Sequence, residues 1–405
     1  MIAFGQIFRL PAIMDLENRF PALSDVMKRA KRRVPHFVWE FLDSATGAET
    51  TKTRNTDALD RILFAPAVLK GDLDPTLKTT FLDHEYDLPF GIAPVGMSGL
   101  IWPGAEQMLA RHGADANIPY CLSTVASQLP EDVGPLAGSN GWFQLYPPRD
   151  GDMRREILTR VRAAGFHTLV LTLDIPAPSR RERQLRADLT QPLKFTPRLI
   201  RQALLRPQWL WRVFKMGIPR LKLVQEYEYK LADQKLDKNL PSNNHIGYRL
   251  RCNPDLAYLK QLQTEWDGPI IAKGVMDPDA AVVLASAGVD AIWVSNHGGR
   301  QFDAAPASIS VLPDIRTTVG PSFPIIFDGG IRTGLDVLRA FAHGANFAML
   351  GRAHHYGLAA FGEKGAAHVS HILSEDMKSA MAQMGINSPS DAVNSLVQKG
   401  ETSNA

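Results

Sequence analysis

Cysteine is almost absent. Cys121 and Cys252 are the only two in 405 residues, and they lie far apart. No disulfide framework and no Cys-rich metal spacing can be built from them, which fits a reducing cytosol. Cys121 sits in the apolar run Pro119-Tyr120-Cys121-Leu122, as an inert core thiol would. Long apolar runs are missing too. No window holds about eighteen consecutive apolar residues, so no spanning helix is expected. The N-terminus lacks a basic region, an apolar region and a small-residue cleavage site in order, so no signal peptide is expected. Neither sign of charge dominates. The net charge of +3 is too small to imply nucleic acid by itself. No GxGxxG follows a first strand and no GxxxxGK[ST] occurs, which disfavours a dinucleotide fold and a P-loop.

What is present is a rhythm. A length of 405 residues allows two average domains or one large α/β barrel. Residues 1–60 read as helical, with Ser24 as a helix start and Phe37, Val38, Phe41 and Leu42 on one face. From residue 89, strand-like apolar runs recur at Pro89–Gly96, Pro119–Thr124, Gly141–Tyr146, Thr168–Asp174, Pro269–Val275, Ala291–Gly298, Pro324–Gly330 and Phe347–Arg352. Helical segments separate most of them, several ending in Ala-Gly or His-Gly. Alternation of this kind means parallel strands with crossover connections. Eight of them point to a (β/α)8 barrel, although a count does not prove closure and an open sheet would alternate in the same way.

Polar residues gather at the strand ends. Gln144 and Tyr146 end the third strand, Thr172 and Asp174 the fourth, and Lys273 the fifth. His297 follows the sixth, Asp328-Gly329-Gly330 ends the seventh, and Gly351-Arg352 the eighth. In a barrel they share the C-terminal rim, where active sites are built. The stretch Ser295 to Asp303 supplies a titratable base, His297, a glycine pair, and the fixed cation Arg300 three residues on. That set suits removal of a proton or hydride from a substrate anchored by its negative charge. Asp328 to Arg332 and Gly351-Arg352 fall on the two loops where barrels often hold a phosphate.

These motifs, with Ala93 to Gly96, Leu122 to Thr124, Trp142 to Tyr146, Leu171 to Asp174 and Arg180 to Arg183, resemble the FMN-dependent L-2-hydroxy acid oxidases and dehydrogenases. The resemblance runs from about residue 15 to about residue 385. It implies an FMN cofactor lined by Pro94, Val95, Gly96, Ser123, Gln144, Thr172 and Ser295, with Lys273 beside the ring. Asp328, Gly329, Gly330, Ile331, Arg332, Gly351 and Arg352 would hold the ribityl chain and phosphate. His297 would be the base and Asp174 its partner. Arg181 and Arg300 would bind the substrate carboxylate, and Tyr146 would bond the substrate near its hydroxyl. One position departs from the pattern: Phe41 stands where the family has a tyrosine that helps bind the carboxylate. No metal is expected. Proton removal with hydride transfer, and carbanion formation at C2, both fit this set.

Residues 189–225 carry eight Lys and Arg with no acidic residue, interleaved with Leu, Trp and Phe. Such a mixture suits a helix lying in an anionic membrane surface. The resemblance supports this through Arg206-Pro207-Gln208-Trp209, a stretch that the lactate and mandelate dehydrogenases also carry here. The expected organisation is one domain over 1–385, with a helical cap over 1–88, a barrel over 89–385 and an insertion at 189–240 between strands four and five. A polar tail would follow at 386–405. The expected function is oxidation of a lactate-like or mandelate-like L-2-hydroxy acid, with electrons passed to quinone or another respiratory acceptor. The protein would be a homo-oligomer on the inner face of the cell membrane, binding no nucleic acid. Two alternatives stand beside this: an oxygen-using oxidase that makes peroxide, and a flavin-binding barrel without hydroxy acid turnover.

Overall fold

The computed structural model describes residues 16–189, 196–232 and 251–397, and the side chains of all of these except 228–232. A hairpin comes first: β1 (Thr79–Phe81) pairs antiparallel with β2 (His84–Tyr86). Eight short strands follow: β3 (Phe90–Ile92), β4 (Tyr120–Ser123), β5 (Gly141–Leu145), β6 (Thr168–Thr172), β7 (Ile270–Val275), β8 (Ala291–Val294), β9 (Ile325–Phe327) and β10 (Phe347–Leu350). They pair in parallel in sequence order. The sheet closes where Ala348, Met349 and Leu350 of β10 meet Phe90, Gly91 and Ile92 of β3. Closure, which a strand count leaves open, is therefore observed.

The strands are buried on both faces, which is why they read as continuous apolar runs. Outward side chains such as Leu122, Phe143, Leu169 and Ile292 pack against the helices. Inward ones, including Cys121, Trp142, Val170, Ile271 and Trp293, fill the barrel. Side chains alternate along a strand. Two residues further along, the same inward direction holds Ser123, Gln144, Thr172, Lys273 and Ser295. The barrel thus passes from apolar floor to polar mouth within one step of the pleat.

The hairpin plugs the other end. Leu82 and Asp83 both take positive φ, as a tight two-residue turn of this hand requires. Phe81 and Tyr86 then pack on Trp142 and Phe347 inside the barrel. This hairpin lies inside the segment expected to be a helical cap. The cap includes the helices Leu23–Arg33, His36–Asp43 and Thr50–Asp60. The first begins one residue before Ser24, with Ala22 at its N-cap. The expected polar tail also starts packed. Ile386 and Ala392 are buried, and Leu396 bridges Phe64; residues 398–405 lie outside the described residues.

Between β6 and β7 the insertion forms helices Pro197–Leu204 and Pro207–Met216. Its expected portions at 190–195 and 233–240 lie outside the described residues. The apolar residues divide. Leu199 and Trp209 turn inward, and Trp209 Nε1 donates to Leu100 O. Leu204, Leu205, Trp211 and Phe214 remain exposed. Among the described residues no helix is long and apolar enough to cross a membrane.

Candidate active site

After β8 the chain makes a tight 3-10 turn over His297–Gly299, and the Asn296 side chain accepts from Gly299 N–H. The glycines are dictated by neighbours. A Cβ on Gly299, whose φ is +76°, would sit 2.7 Å from the backbone N of Lys52. A Cβ on Gly298 would sit 2.9 Å from Arg352 Nη1. The helix Thr50–Asp60 is thus pressed against the loop. Asn55 and Asn296 exchange reciprocal amide hydrogen bonds of 2.9 and 2.7 Å. Asp303 accepts from the N–H groups of Ala48 and Thr51 at the start of that helix. There its charge meets the helix's positive end.

His297 has a positive φ of 57°, a conformation that a packed surround must enforce. Its Nδ1 lies 3.2 Å from Asp174 Oδ2, leaving Nε2 for a ligand. Burial holds the imidazole below its ordinary pKa, and Lys273 adds to this against the pull of Asp174. The ring is therefore neutral and able to take a proton. Burial opposes the Asp174 carboxylate, but His297 and Lys273 outweigh it and keep the group ionised. The two side chains keep 19% and 14% of their exposure, so the pair is reachable.

Lys273 is a buried cation. Burial works against its charge, but Asp328 and Asp174 raise its pKa overall. Nζ donates to Ser295 Oγ at 3.0 Å and stands 3.4 Å from Asp328 Oδ2. Beside it runs a polar line: Ser123 Oγ donates to Gln144 Oε1, and Gln144 Nε2 donates to Thr172 Oγ1. Pro94, Val95 and Gly96 are half-buried at the start of the neighbouring loop.

The chemistry of these groups can be tested against FMN. Asp328 Oδ2 accepts from Trp293 Nε1, but Oδ1 is buried with no hydrogen-bond partner among the described residues. A buried acceptor of this kind calls for a hydroxyl. A polar line beside a buried lysine suits the edge of a ring that becomes anionic on reduction. Gly351 caps the start of the helix Arg352–Phe361, where a phosphate is favoured. The donors and acceptors fit the cofactor. Gly329 and Gly330 also meet a packing demand, because a Cβ on either would strike Ser308 Oγ at 2.3 Å or Asn55 O at 2.9 Å.

The arginines are more engaged than the sequence suggests. Arg300 Nη1 donates to the carbonyls of Phe41, Leu42 and Ser44, and Nη2 to Phe41 O. Arg352 donates to Leu42 O, Gly298 O and Ser44 O. Both therefore grip the carbonyl end of the helix His36–Asp43, where cations are favoured. Arg332 donates to Ile331 O and lies over the Tyr356 ring. Burial and the nearby Arg181 and Arg352 push the Arg300 pKa well down. Arg181 is likewise lowered by burial, with Arg352 and Arg251 contributing. Three mutually repelling guanidinium groups make a strong anion site. Tyr146 lies close to Arg181 and Asp174, and its hydroxyl is held protonated, chiefly by burial. The Phe41 ring lies 5.7 Å from Arg300 Cζ.

Sequence reasoning passed over the residues that hold the cap down. Arg183 bridges Asp43 and Glu49 at 3.0 and 2.9 Å and also pairs with Glu40. Lys52 and Tyr356 bind the same Asp43. Burial opposes the Asp43 carboxylate, yet Lys52, Tyr356 and Arg183 bring its pKa down to about 2. Glu182 accepts from Gly47 N–H. Of the run Arg180 to Arg183, Arg183 is taken up by these carboxylates, while Arg181 is part-buried with its Nε donating to Ser179 Oγ. The charges of Arg183 and Lys52 are visible in the sequence, but their partners are not.

Known proteins resemble this chain over most of its length. A family model described as FMN-dependent dehydrogenase matches residues 30–399. An L-lactate dehydrogenase of Caulobacter sp. (strain K31) is 36% identical over 379 residues, covering 93% of this chain and 98% of that relative. One from Pseudomonas aeruginosa (strain UCBPP-PA14) is 36% identical over 384 residues with the same coverage. Among solved structures, the monotopic membrane protein (S)-mandelate dehydrogenase superposes with a TM-score of 0.84 at 27% identity, covering 93% of this chain and 98% of that one. A lactate oxidase of Pediococcus acidilactici gives 0.78 at 27% identity, covering 93% and 94%.

Proposed function

This chain belongs to the FMN-dependent dehydrogenase family and oxidises L-2-hydroxy acids to 2-oxo acids through FMN, and we propose that His297 is the base of that reaction, that Arg181 and Arg300 anchor the substrate, and that the electrons leave to quinone or another membrane carrier. The observation that carries the assignment is the Asp174 carboxylate at 3.2 Å from His297 Nδ1, with the buried Lys273 near both.

Ser123, Gln144, Thr172, Ser295 and Lys273 would hold the flavin ring, flanked by Pro94, Val95 and Gly96. Asp328, Gly329, Gly330, Ile331, Arg332, Gly351 and Arg352 would hold the side chain and phosphate. FMN supplies the two-electron acceptor. The substrate carboxylate takes the donors that Arg300 has left, Nε and one N–H of Nη2, together with Arg181. It also relieves the repulsion among the arginines. Tyr146 donates to the substrate near its hydroxyl. His297 Nε2 accepts the proton, and Asp174 stabilises the imidazolium that forms. Lys273 balances negative charge at the ring edge. Anaerobic mixing with L-lactate or L-mandelate tests the reading. Flavin absorbance should bleach with the L acids and stay with the D acids; no bleaching by any L-2-hydroxy acid would sink it.

Phe41 sets a limit on small acids. A tyrosine hydroxyl at a carboxylate is worth about 1.5–3 kcal/mol, so Phe41→Tyr should lower the KM for L-lactate about tenfold or more. An unchanged KM would remove Phe41 from the substrate site. For the acceptor, support comes from the exposed Leu204, Leu205, Trp211 and Phe214 beside Arg198, Arg201 and Lys215. Such a face suits an anionic membrane surface, and we place it on the inner face of the cell membrane. Trp211→Ser with Phe214→Ser should move the protein from the membrane pellet to the supernatant. Retention in the pellet would end this reading.

A further inference from the structure

The helix Leu23–Arg33 carries more positive charge than its fold can use. Its last turn holds Lys31, Arg32 and Arg33, which the carbonyl end of a helix favours. Lys28 and Arg29 lie outside that last turn. At spacings of four, Lys28 faces Arg32 and Arg29 faces Arg33, and like charges so placed repel. Lys28 Nζ is paired with Asp25 Oδ1 at 3.2 Å, and the fold brings further cations to the same side of the helix. A groove of about 520 Å³ runs between this helix and the start of the insertion helix Pro207–Met216. Arg19, Lys28, Arg29, Arg32, Arg33 and Arg206 line it, with Asp25 as the one carboxylate among its lining residues.

The deeper cations are fixed in place. Arg29 Nε donates to Ala360 O, and its guanidinium lies between the Phe20 and Phe361 rings. Arg33 Nε donates to Gln208 Oε1, and its guanidinium covers the Trp102 ring. Arg33 Nη1 is buried with no hydrogen-bond partner among the described residues. Burial, Arg29 and Arg212 together bring the Arg33 pKa down to about 10. Arg206 Nε donates to Val34 O. Such a preset fork of guanidinium groups matches the oxygens of a phosphate ester.

The groove also opens onto the apolar face. Leu205 lines it and is 63% exposed, and Leu204 beside it is equally exposed. Trp211 and Phe214 stand on the helix that forms the other wall, with their rings stacked. We propose that this groove is a binding site for the phosphodiester headgroup of an anionic lipid, with the acyl chains beside Leu205 and the exposed face of the insertion. The charge calls for a phosphate, and the adjoining apolar face calls for a lipid rather than a free ion. The site rests on the membrane reading above and deepens it. Membrane attachment then has two parts: an apolar insertion indifferent to headgroup, and a headgroup seat formed jointly by the N-terminal helix and the insertion.

The test is flotation of the FMN-loaded protein with three vesicles: phosphatidylcholine alone, phosphatidylcholine with phosphatidylglycerol, and phosphatidylcholine with oleate at matched surface charge. The wild type should prefer phosphatidylglycerol to oleate several-fold. Lys28→Glu with Arg32→Glu should weaken binding to phosphatidylglycerol about tenfold or more. That variant should bind oleate vesicles better than phosphatidylglycerol predicts and turn over hydroxy acid as before. Equal losses on the two anionic vesicles would mean diffuse charge attraction and overturn the site. Competition by millimolar glycerol phosphate as effective as that by vesicles would make it a soluble-phosphate site instead. If Trp211→Ser with Phe214→Ser releases the protein while the wild-type preference for phosphatidylglycerol is absent, the membrane reading stands and the groove proposal fails. If the wild type floats with no vesicle, both fail.

Discussion

His297→Gln should lower kcat/KM for L-2-hydroxy acids by roughly 10²–10⁴-fold, the range a positioned base contributes. Bound FMN should be unchanged, because no cofactor contact is assigned to the imidazole. The acid side of the pH profile carries the same information. The base must be neutral to act. Burial and Lys273 hold the His297 pKa below its ordinary value despite Asp174, so kcat/KM should stay level as pH falls through about 6.5, where a free imidazole would protonate. It should decline only at lower pH. Asp174→Asn removes the charge that raises this pKa, so the decline should move further to acid while the plateau falls. A limb that moves toward neutral pH instead would assign the limb to another group.

Gly274→Ala should cost about 10²-fold in kcat, although residue 274 touches no substrate. Gly274 has a φ of +98°, and the register between β7 and β8 shifts there. A Cβ at this position would lie 2.5 Å from Asp174 Cγ. The methyl group and the carboxylate cannot share that space, so Asp174 must leave His297, and displacements near 1 Å are enough for a loss of this size. A double-mutant cycle separates this from general damage. Asp174→Asn with Gly274→Ala should be within a few-fold of Asp174→Asn alone. Fully multiplicative losses would show that Gly274 acts through stability and not through Asp174.

The barrel and the mouth were legible for one reason. Parallel strands buried on both faces leave apolar runs, and the first polar inward residue after each run marks the rim. Ser123, Gln144, Thr172, Lys273 and Ser295 follow that rule, and the structure brings them together. The hairpin at Thr79–Tyr86 was not legible. Its strands have three residues each, and its Leu82-Asp83 turn carries no glycine. Gly274 was visible as a residue, but the reason for it lies in Asp174, a hundred positions earlier. In the sequence Arg300 and Arg352 read as anion ligands, and the carbonyls of Phe41, Leu42 and Ser44 that also hold them leave no periodic trace. The insertion's composition signalled a basic, apolar surface, but which of its tryptophans would be buried depended on Leu100.

The amide pair between Asn55 and Asn296 spans 241 positions of sequence. A contact of that range forms only after the chain between has been brought into order, because loop closure must precede its reward. Asp303 and Lys52, which press the same two segments together, share this delay. On a ribosome the helix at 50–60 emerges early and waits for the sixth barrel strand and the loop behind it. The turn that shapes the histidine is therefore a late product of folding. A chain stalled with its barrel incomplete would carry most of its hydrophobic core and none of its chemistry.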